Sequence, residues 1–401
     1  MAPPFRAEQI GSLLRPPQLL SARATSNSIM TYTRSLPENV KRVTQEAIAT
    51  AIQEQLSLSI RPLTSGEFER HIFYSGLFEK LQGFDVIPEV PIPSGFRTKF
   101  PTTIQLQRQG LKFRPGVVAT GKIKHVQVAY LDEWKTLKSL LPQEQWKECK
   151  FTMPSITWQH MQLAVGTPYS PSVYSSDKDY FTDLAIAYAT EFHALYSAGL
   201  RSIQIDDPNL TYFLTEGFIA GCTDDGINPD ELLDLYIWAH NACLANRPKD
   251  LHVGVHLCRG NMAGSTHVVS GSYERIAHRM FSGLDYDTFY LEYETERAGD
   301  FEPLRYLPVG KNVVLGVVST KDPKLEDLDE LVGRVESAAD VIARGQGRTR
   351  GEVIRDSLGV SPQCGFASMS QGGGVGMTEK RMWEKLVLVR DLARIVWTDA
   401  V

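Results

Sequence analysis

In the run Val253-Gly-Val-His-Leu-Cys258 a histidine and a cysteine stand two residues apart at the end of a β-rich stretch. Residues two apart on a strand point to the same side, so His256 and Cys258 can offer an imidazole nitrogen and a thiolate sulfur to one metal ion. That spacing alone is common in buried strands. It gains weight from Glu292, which ends Thr288-Phe-Tyr-Leu-Glu292, and from Cys364, which ends Val360-Ser-Pro-Gln-Cys364. Two thiolates, one carboxylate and one neutral imidazole suit Zn2+, and thiolates disfavour magnesium or calcium. The plainer readings are that Cys364 is a small core residue and that Glu292, followed by Glu294 and Glu296, opens a solvated acidic run.

Four residues so far apart in the chain meet only if a fold gathers the ends of several strands. Short β-rich runs ending in small or polar residues alternate here with longer segments of helical periodicity, as in a parallel sheet wrapped by helices. About eight such runs can be counted. They end near Ser12, Glu67, Ser155, Asp206, Cys258, Glu292, Ser319 and Cys364. Eight closes a barrel whose active site sits at the C-terminal strand ends. The expected fold is therefore an α/β protein with a single (β/α)8 TIM barrel over residues 1–401 and an inserted hairpin or lid after the second strand.

The same rim carries Ser12, Glu67, Asp206, Asp207 and Ser319. Asp207-Pro208 reads as a turn or helix start with a capping carboxylate, whereas Asp206, one residue earlier, is placed to bind a substrate amine. In the segment from Lys178 to Leu200, Phe181, Leu184, Tyr188, Phe192 and Leu195 recur at helical spacing and form a buried stripe. Met382, Leu386, Val389, Ala393 and Val396 do the same in the closing helix. Residues 84–128, rich in Pro, Gly and alternating apolar positions, form the expected insertion. Arg344-Gly-Gln-Gly-Arg-Thr-Arg-Gly351 fits no phosphate-loop template and reads as a mobile surface loop.

A net charge of -5 with both signs interspersed leaves no basic stripe for nucleic acid. No uncharged apolar run reaches membrane-spanning length and the N-terminus lacks a secretory pattern, so no membrane is a partner and a cytoplasmic location is expected. Five scattered cysteines argue for reduced thiols rather than a disulfide framework. Cys149, Cys222 and Cys243 are read as packing residues.

Taken together, Phe5-Arg-Ala-Glu-Gln-Ile-Gly-Ser-Leu-Leu-Arg-Pro16, Gly66-Glu67, Ile203-Gln-Ile-Asp-Asp-Pro208, His256-Leu-Cys-Arg-Gly-Asn261, Leu291-Glu292 and Ser361-Pro-Gln-Cys-Gly-Phe366 resemble cobalamin-independent methionine synthase. The likeness is to its C-terminal catalytic barrel and the stand-alone single-barrel relatives, within the wider superfamily that includes uroporphyrinogen decarboxylase. It implies that His256, Cys258, Glu292 and Cys364 hold zinc and that Ile10, Gly11, Ser12, Glu67 and Asp206 hold an amino acid substrate. It also implies methyl transfer to the zinc-activated thiol of homocysteine or a related small thiol, from a methyl donor, with Asp206 and Glu67 as the working carboxylates.

Three departures accompany the likeness. The full-length members carry a second, N-terminal barrel that 401 residues do not accommodate, so polyglutamyl folate is not the expected donor. Where they end the seventh strand with a histidine, this chain has Val318; where stand-alone relatives have an aspartate before Gly-Glu, it has Ser65. The alternative is a zinc Lewis-acid isomerase, cyclase or lyase of small-molecule metabolism that has lost methyl transfer. A thiol- or zinc-binding protein without catalysis is a third reading, disfavoured by the retained carboxylates.

Overall fold

A computed structural model describes residues 2–24, 32, 36–262, 264–367, 369 and 373–398. Eight strands are assigned among them. β1 (Gln82–Pro91) and β2 (Phe113–Lys124) form a separate antiparallel pair, with a helix at Pro101–Arg108 between them. The other six, β3 (Phe151–Pro154), β4 (Ser202–Asp206), β5 (His252–Leu257), β6 (Thr288–Glu292), β7 (Asn312–Val318) and β8 (Leu358–Pro362), make one parallel sheet in sequential order.

These six coincide with six of the eight runs read from the sequence. The first two runs flank the sheet without becoming strands: Ala7 bridges Val360 beside β8, and Leu63 bridges Cys149 just before β3. The two segments touch through a hydrogen bond from Leu13 N to Gly66 O at 3.1 Å. Their irregularity has a local cause, since φ turns positive at Gly11 (139°), Gly66 (68°) and Glu67 (58°), values that no β ladder accepts. The residues that depart from strand geometry are the ones that reach the site.

Apart from half-buried His252 at the start of β5, the six strands are buried along their length. Outward side chains such as Val253, Val255, Phe289 and Leu291 join the large core beneath the helices. Each such Val, Leu or Phe contributes about 1.5–3 kcal/mol on burial. Inward chains follow another rule. Register pairs Gln204 with Gly254 and Asp206 with His256, and His256 with Tyr290. Only a small apolar cluster of Ile10, Tyr290 and Val314 separates from the main core on this side. Lys150 is wholly buried there, donating to Glu8 Oε2 and Gln9 O at 2.6 Å each. The glycine at 254 is required because a Cβ would lie 2.5 Å from the Tyr290 ring.

The helix Asp177–Ser197 buries all five apolar residues of its stripe, and Ser176 caps it by accepting from Asp179 N. In the closing helix Glu379–Val396, Met382, Leu386, Val389 and Ala393 are buried, while Val396 is half-buried.

The stretch from Arg344 to Gly351 differs from the loop expected. The helix Leu328–Gln346 runs into it, Gly347 ends that helix at φ 65°, and a new helix starts at Arg350 behind a capping box of Thr349 and Glu352. Gly345 is tolerated because a Cβ there would lie 2.0 Å from Arg305 O, so its smallness serves helix packing rather than flexibility. Among the described residues no helix is long and apolar enough to cross a membrane.

Candidate metal and substrate site

At the C-terminal ends of β5, β6 and β8 the side chains of His256, Cys258, Glu292 and Cys364 converge, each with one donor atom within 4.8 Å of the others. The i, i+2 spacing at the end of β5 turns His256 and Cys258 to one side, and the two neighbouring strand ends supply the remaining donors. The two sulfurs are 3.5 Å apart. That is far too long for a disulfide and close to the roughly 3.8 Å edge that two sulfurs span around a tetrahedral zinc. His256 Nε2 is buried without a hydrogen-bond partner, and Nδ1 lies 3.3 Å from Tyr290 O. An orphaned ring nitrogen beside two thiols and a carboxylate fits a tetrahedral, thiolate-accepting metal ion.

Electrostatics agree with the geometry. Burial alone would favour neutral His256, but contact with the Cys364 sulfur raises it to about 9. The neighbouring Cys258 sulfur and then His256 hold the Cys364 thiol well below its ordinary value, against burial. Glu292 is raised to about 7, by burial first and then by the Cys364 charge. It is held in place on both oxygens: Oε1 accepts from Arg259 N at 2.7 Å and Oε2 from Arg297 Nη2 at 2.9 Å. Arg297 also grips Glu294. Such outer partners orient a ligand and tune it. The acidic run after Glu292 is thus not simply solvated, since Glu294 is buried too.

Beside the four donors lies a cavity bordered by Ile10, Ser12, Glu67, Asp206, His256, Cys258 and Cys364. About 80 Å³ of it can be occupied by the centre of a water molecule, room for several waters or one compact metabolite. A larger groove, lined among others by Pro17, Ala47 and Trp383, lies on the helical surface and contains none of the ligand set.

Glu67 Oε1 accepts from Thr152 Oγ1 at 2.6 Å, while Oε2 is buried without a partner. Asp206 Oδ1 accepts from Gln204 Nε2 at 2.7 Å, and the same amide nitrogen reaches Ile10 O at 2.6 Å. Both carboxyls are raised by burial; Asp206, to about 8, also feels Glu67. Two buried carboxyls, one of them raised by the charge of the other, are stabilised by a cation placed between them.

Gly11 is required for this arrangement. A Cβ there would sit 2.8 Å from Glu67 Oε1 and 2.9 Å from Thr152 Cγ2, at a φ of 139°. The substitution Gly11→Ala should therefore push the Glu67 carboxylate aside. The expected result is a loss of at least about tenfold in affinity for an amino acid ligand with metal content unchanged, read by titration calorimetry and elemental analysis. Metal loss with intact ligand affinity would assign Gly11 to the wrong half of the site.

Ser12 is held by its neighbours. Its Oγ accepts from Ala367 N at 3.3 Å, and a Cβ on Gly365 would lie 2.0 Å from that oxygen. Asp207 and Ser319 fall outside the cavity. Asp207 caps Asn209 N and Leu210 N at 2.6 and 3.0 Å and accepts from His240 and Ser155, which hold its carboxyl below the usual range despite burial. Ser319 Oγ accepts from Lys321 N and Asp322 N, closing a turn. Cys149, Cys222 and Cys243 are buried free thiols away from the site.

Several contributors carry no isolated sequence signal. Gln204 and Thr152 orient the two carboxylates, and strand alternation around Asp206 could have pointed to Gln204. Arg15 Nη2 donates to Glu67 O at 3.1 Å and Arg70 O at 3.0 Å, fixing the positive-φ turn. Behind that turn, Ser65 Oγ donates to Glu69 Oε2 at 2.9 Å. Burial, and then Glu133, raise Glu69 to about 7.

A folded-state value above the unfolded one means that the native protein loses stability as pH rises through the interval from about 4.3 to 7. The neutral isostere Glu69→Gln removes this cost. It should raise the melting temperature at pH 8, through at most about 4 kcal/mol of stability, and have little effect at pH 4. Equal effects at both pH values would contradict a raised Glu69.

The family profile described as the catalytic domain of cobalamin-independent synthase matches residues 166–375. The uncharacterized protein YxjG of Bacillus subtilis is 32% identical over 397 residues, spanning 98% of this chain and 95% of its own. The chain belongs to the family of cobalamin-independent synthase catalytic domains. A more distant relative, the 5-methyltetrahydropteroyltriglutamate–homocysteine methyltransferase of Bacillus velezensis, is 23% identical over 80% of this chain, which spans 34% of that enzyme's length. Among solved structures, a B12-independent methionine synthase from Shewanella sp. W3-18-1 in complex with selenomethionine superposes with a TM-score of 0.69 at 17% identity, covering 98% of this chain and 97% of that one. The fold is thus an α/β fold with a parallel sheet, similar to the methionine synthase-like barrels.

Proposed function

We propose that this protein is a zinc-dependent enzyme that activates a small thiol, homocysteine or a close relative, for methyl transfer. The observation that carries the reading is the cluster of His256, Cys258, Glu292 and Cys364 opening on the same cavity as the carboxyl pair Glu67 and Asp206. Zinc held by those four residues would supply a Lewis acid that keeps a substrate thiol deprotonated and nucleophilic near neutral pH.

The rest of the work falls to the chain. Asp206 and Glu67 receive the substrate ammonium, which relieves their mutual repulsion. Ile10 and Ser12 border the place where the amino acid carboxylate would lie. Arg297 and Arg259 keep Glu292 in position, and the aromatic wall of the cavity limits water. Support from relatives comes from the selenomethionine complex of the Shewanella protein and the homocysteine named for the Bacillus velezensis enzyme. In the same reading the segments at Ala7 and Leu63 complete an eight-membered barrel within one domain, and the protein acts in the cytoplasm with its five cysteines reduced.

Lewis-acid chemistry on a thiol-free substrate is the second reading, favoured by one observation. Val318 is fully buried at the end of β7, and His256 is the only imidazole among the described residues lining the cavity. Among the described residues no second histidine stands ready to protonate a departing amine there.

Cobalt substitution tests the first reading. Homocysteine added to the cobalt-loaded protein should intensify the sulfur-to-metal charge-transfer absorption, and methionine should not. An unchanged spectrum with bound homocysteine would favour the Lewis-acid alternative.

A further inference from the structure

We propose that Lys321, in the turn after β7, is the charge-compensating residue of the metal cluster and sets its preference for an anionic sulfur ligand over a neutral one. The lysine is 6% exposed. Its Nζ donates to Asn261 Oδ1 at 2.5 Å and Thr266 O at 3.4 Å, and among the described residues no carboxylate comes within ion-pair distance of it. Other buried lysines have one. Lys150 has Glu8 at 2.6 Å and Lys385 has Glu326 at 2.9 Å. An ammonium withdrawn from water is costly unless a negative charge compensates it.

The loops around the two thiols fix the ammonium beside the cluster. Asn261, three residues beyond Cys258, carries the contact on through Nδ2 to Gly365 O at 2.6 Å, next to Cys364. Ser265 Oγ donates to Lys321 O at 2.7 Å, and a Cβ on Gly374 would lie 2.6 Å from that oxygen, so the chain beyond β8 closes over the lysine. Its charge lowers the Cys364 thiol, after the larger effects of Cys258 and His256. The other cations nearby are engaged. Arg297 is shared by Glu292 and Glu294, and Arg259 is held by Tyr273 Oη and Ala298 O at 3.3 Å each. His267, pushed down to about 4 by burial and then by Arg297 and Lys321, is neutral near neutrality.

A divalent cation held by two thiolates, Glu292 and a neutral His256 leaves the set with one net negative charge, and a substrate thiolate adds a second. Opposite charges attract more strongly in a buried site than in water. Lys321 therefore stabilises the added charge of a thiolate and has no comparable hold on a thioether, which brings none. This rests on the thiol-activation reading and deepens it, since one lysine then distinguishes the thiol substrate from a thioether product.

The test is titration calorimetry on the cobalt-loaded full chain with homocysteine and methionine, which share the amino acid frame and differ in the charge their sulfur can carry. Lys321→Gln, which keeps a donor for Asn261, should bind homocysteine at least about tenfold more weakly than wild type does. Its methionine affinity and metal content should not change. Lys321→Arg should retain most of the homocysteine affinity. Should the glutamine variant not fold, Lys321→Met carries the same comparison. Unaltered homocysteine affinity in the neutral variant overturns the proposal, and so do equal losses for both ligands, which would make Lys321 a structural tie between the loops. A wild type that binds homocysteine with no change in its cobalt spectrum overturns thiol activation and this inference with it, so the two failures are told apart.

Discussion

Replacing Cys364 by alanine should reduce zinc from stoichiometric to trace after dialysis against a chelator, while the protein remains folded. Removing an outer partner of a metal ligand typically weakens binding by 10- to 100-fold, and loss of a thiolate ligand should exceed that range. The sulfur of Cys364 lies 3.5 Å from Cys258 and is the group that raises His256, so its removal dismantles the electrostatics of the cluster as well as one bond. The cavity left is small because Cys364 is followed by Gly365 packed on Ser12. A melting temperature near that of the metal-free wild type is therefore expected. Metal content is read by elemental analysis. A Cys364→Ala protein that keeps one zinc per chain would show that the metal, if any, sits elsewhere.

The second large effect belongs to Asp206. Asp206→Asn should lower affinity for homocysteine and for methionine by on the order of 100-fold, within the 2–5 kcal/mol cost of removing one partner from a buried charge pair. Zinc content should not change. The isostere preserves the hydrogen bond that Gln204 Nε2 donates to Oδ1, and it removes a carboxyl that burial and Glu67 push up to about 8. The unliganded variant should therefore melt no lower than wild type. A merely structural role for Asp206 would give the opposite pair of results, with a lowered melting temperature and unaltered ligand affinity.

Much of this was legible in the chain because strand alternation and the barrel-rim rule act locally. The spacing of His256 and Cys258, with Glu292 and Cys364 at the ends of neighbouring strands, needs only the period of a strand to bring four donors together, and the structure brings them within 4.8 Å. Six β-rich runs are strands because neighbours bury both faces, the outer one against an apolar core and the inner one among paired polar groups. The first two runs read equally well as strands, yet positive φ at Gly11, Gly66 and Glu67 trades ladder hydrogen bonds for side-chain placement. Gly345 and Gly347 looked like loop glycines; one makes room for a carbonyl and the other ends a helix, distinctions that depend on tertiary neighbours.

The pairing of Lys321 with Asn261 lay beyond sequence reasoning for the same cause. One follows β7 and the other follows β5, and only packing brings them together beside the cluster. The Asp207 carboxylate illustrates the converse: the capping role read from Asp-Pro is the role it has, reinforced by His240 at 2.8 Å.

The measurement that bears most directly on thiol activation is zinc K-edge X-ray absorption on the zinc-loaded wild type, before and after homocysteine. Two sulfur neighbours at about 2.3 Å are expected from Cys258 and Cys364, rising to three when homocysteine is added and remaining at two with methionine. A shell that stays at two sulfurs with homocysteine bound, or a protein that takes up no zinc at all, would contradict the proposed function.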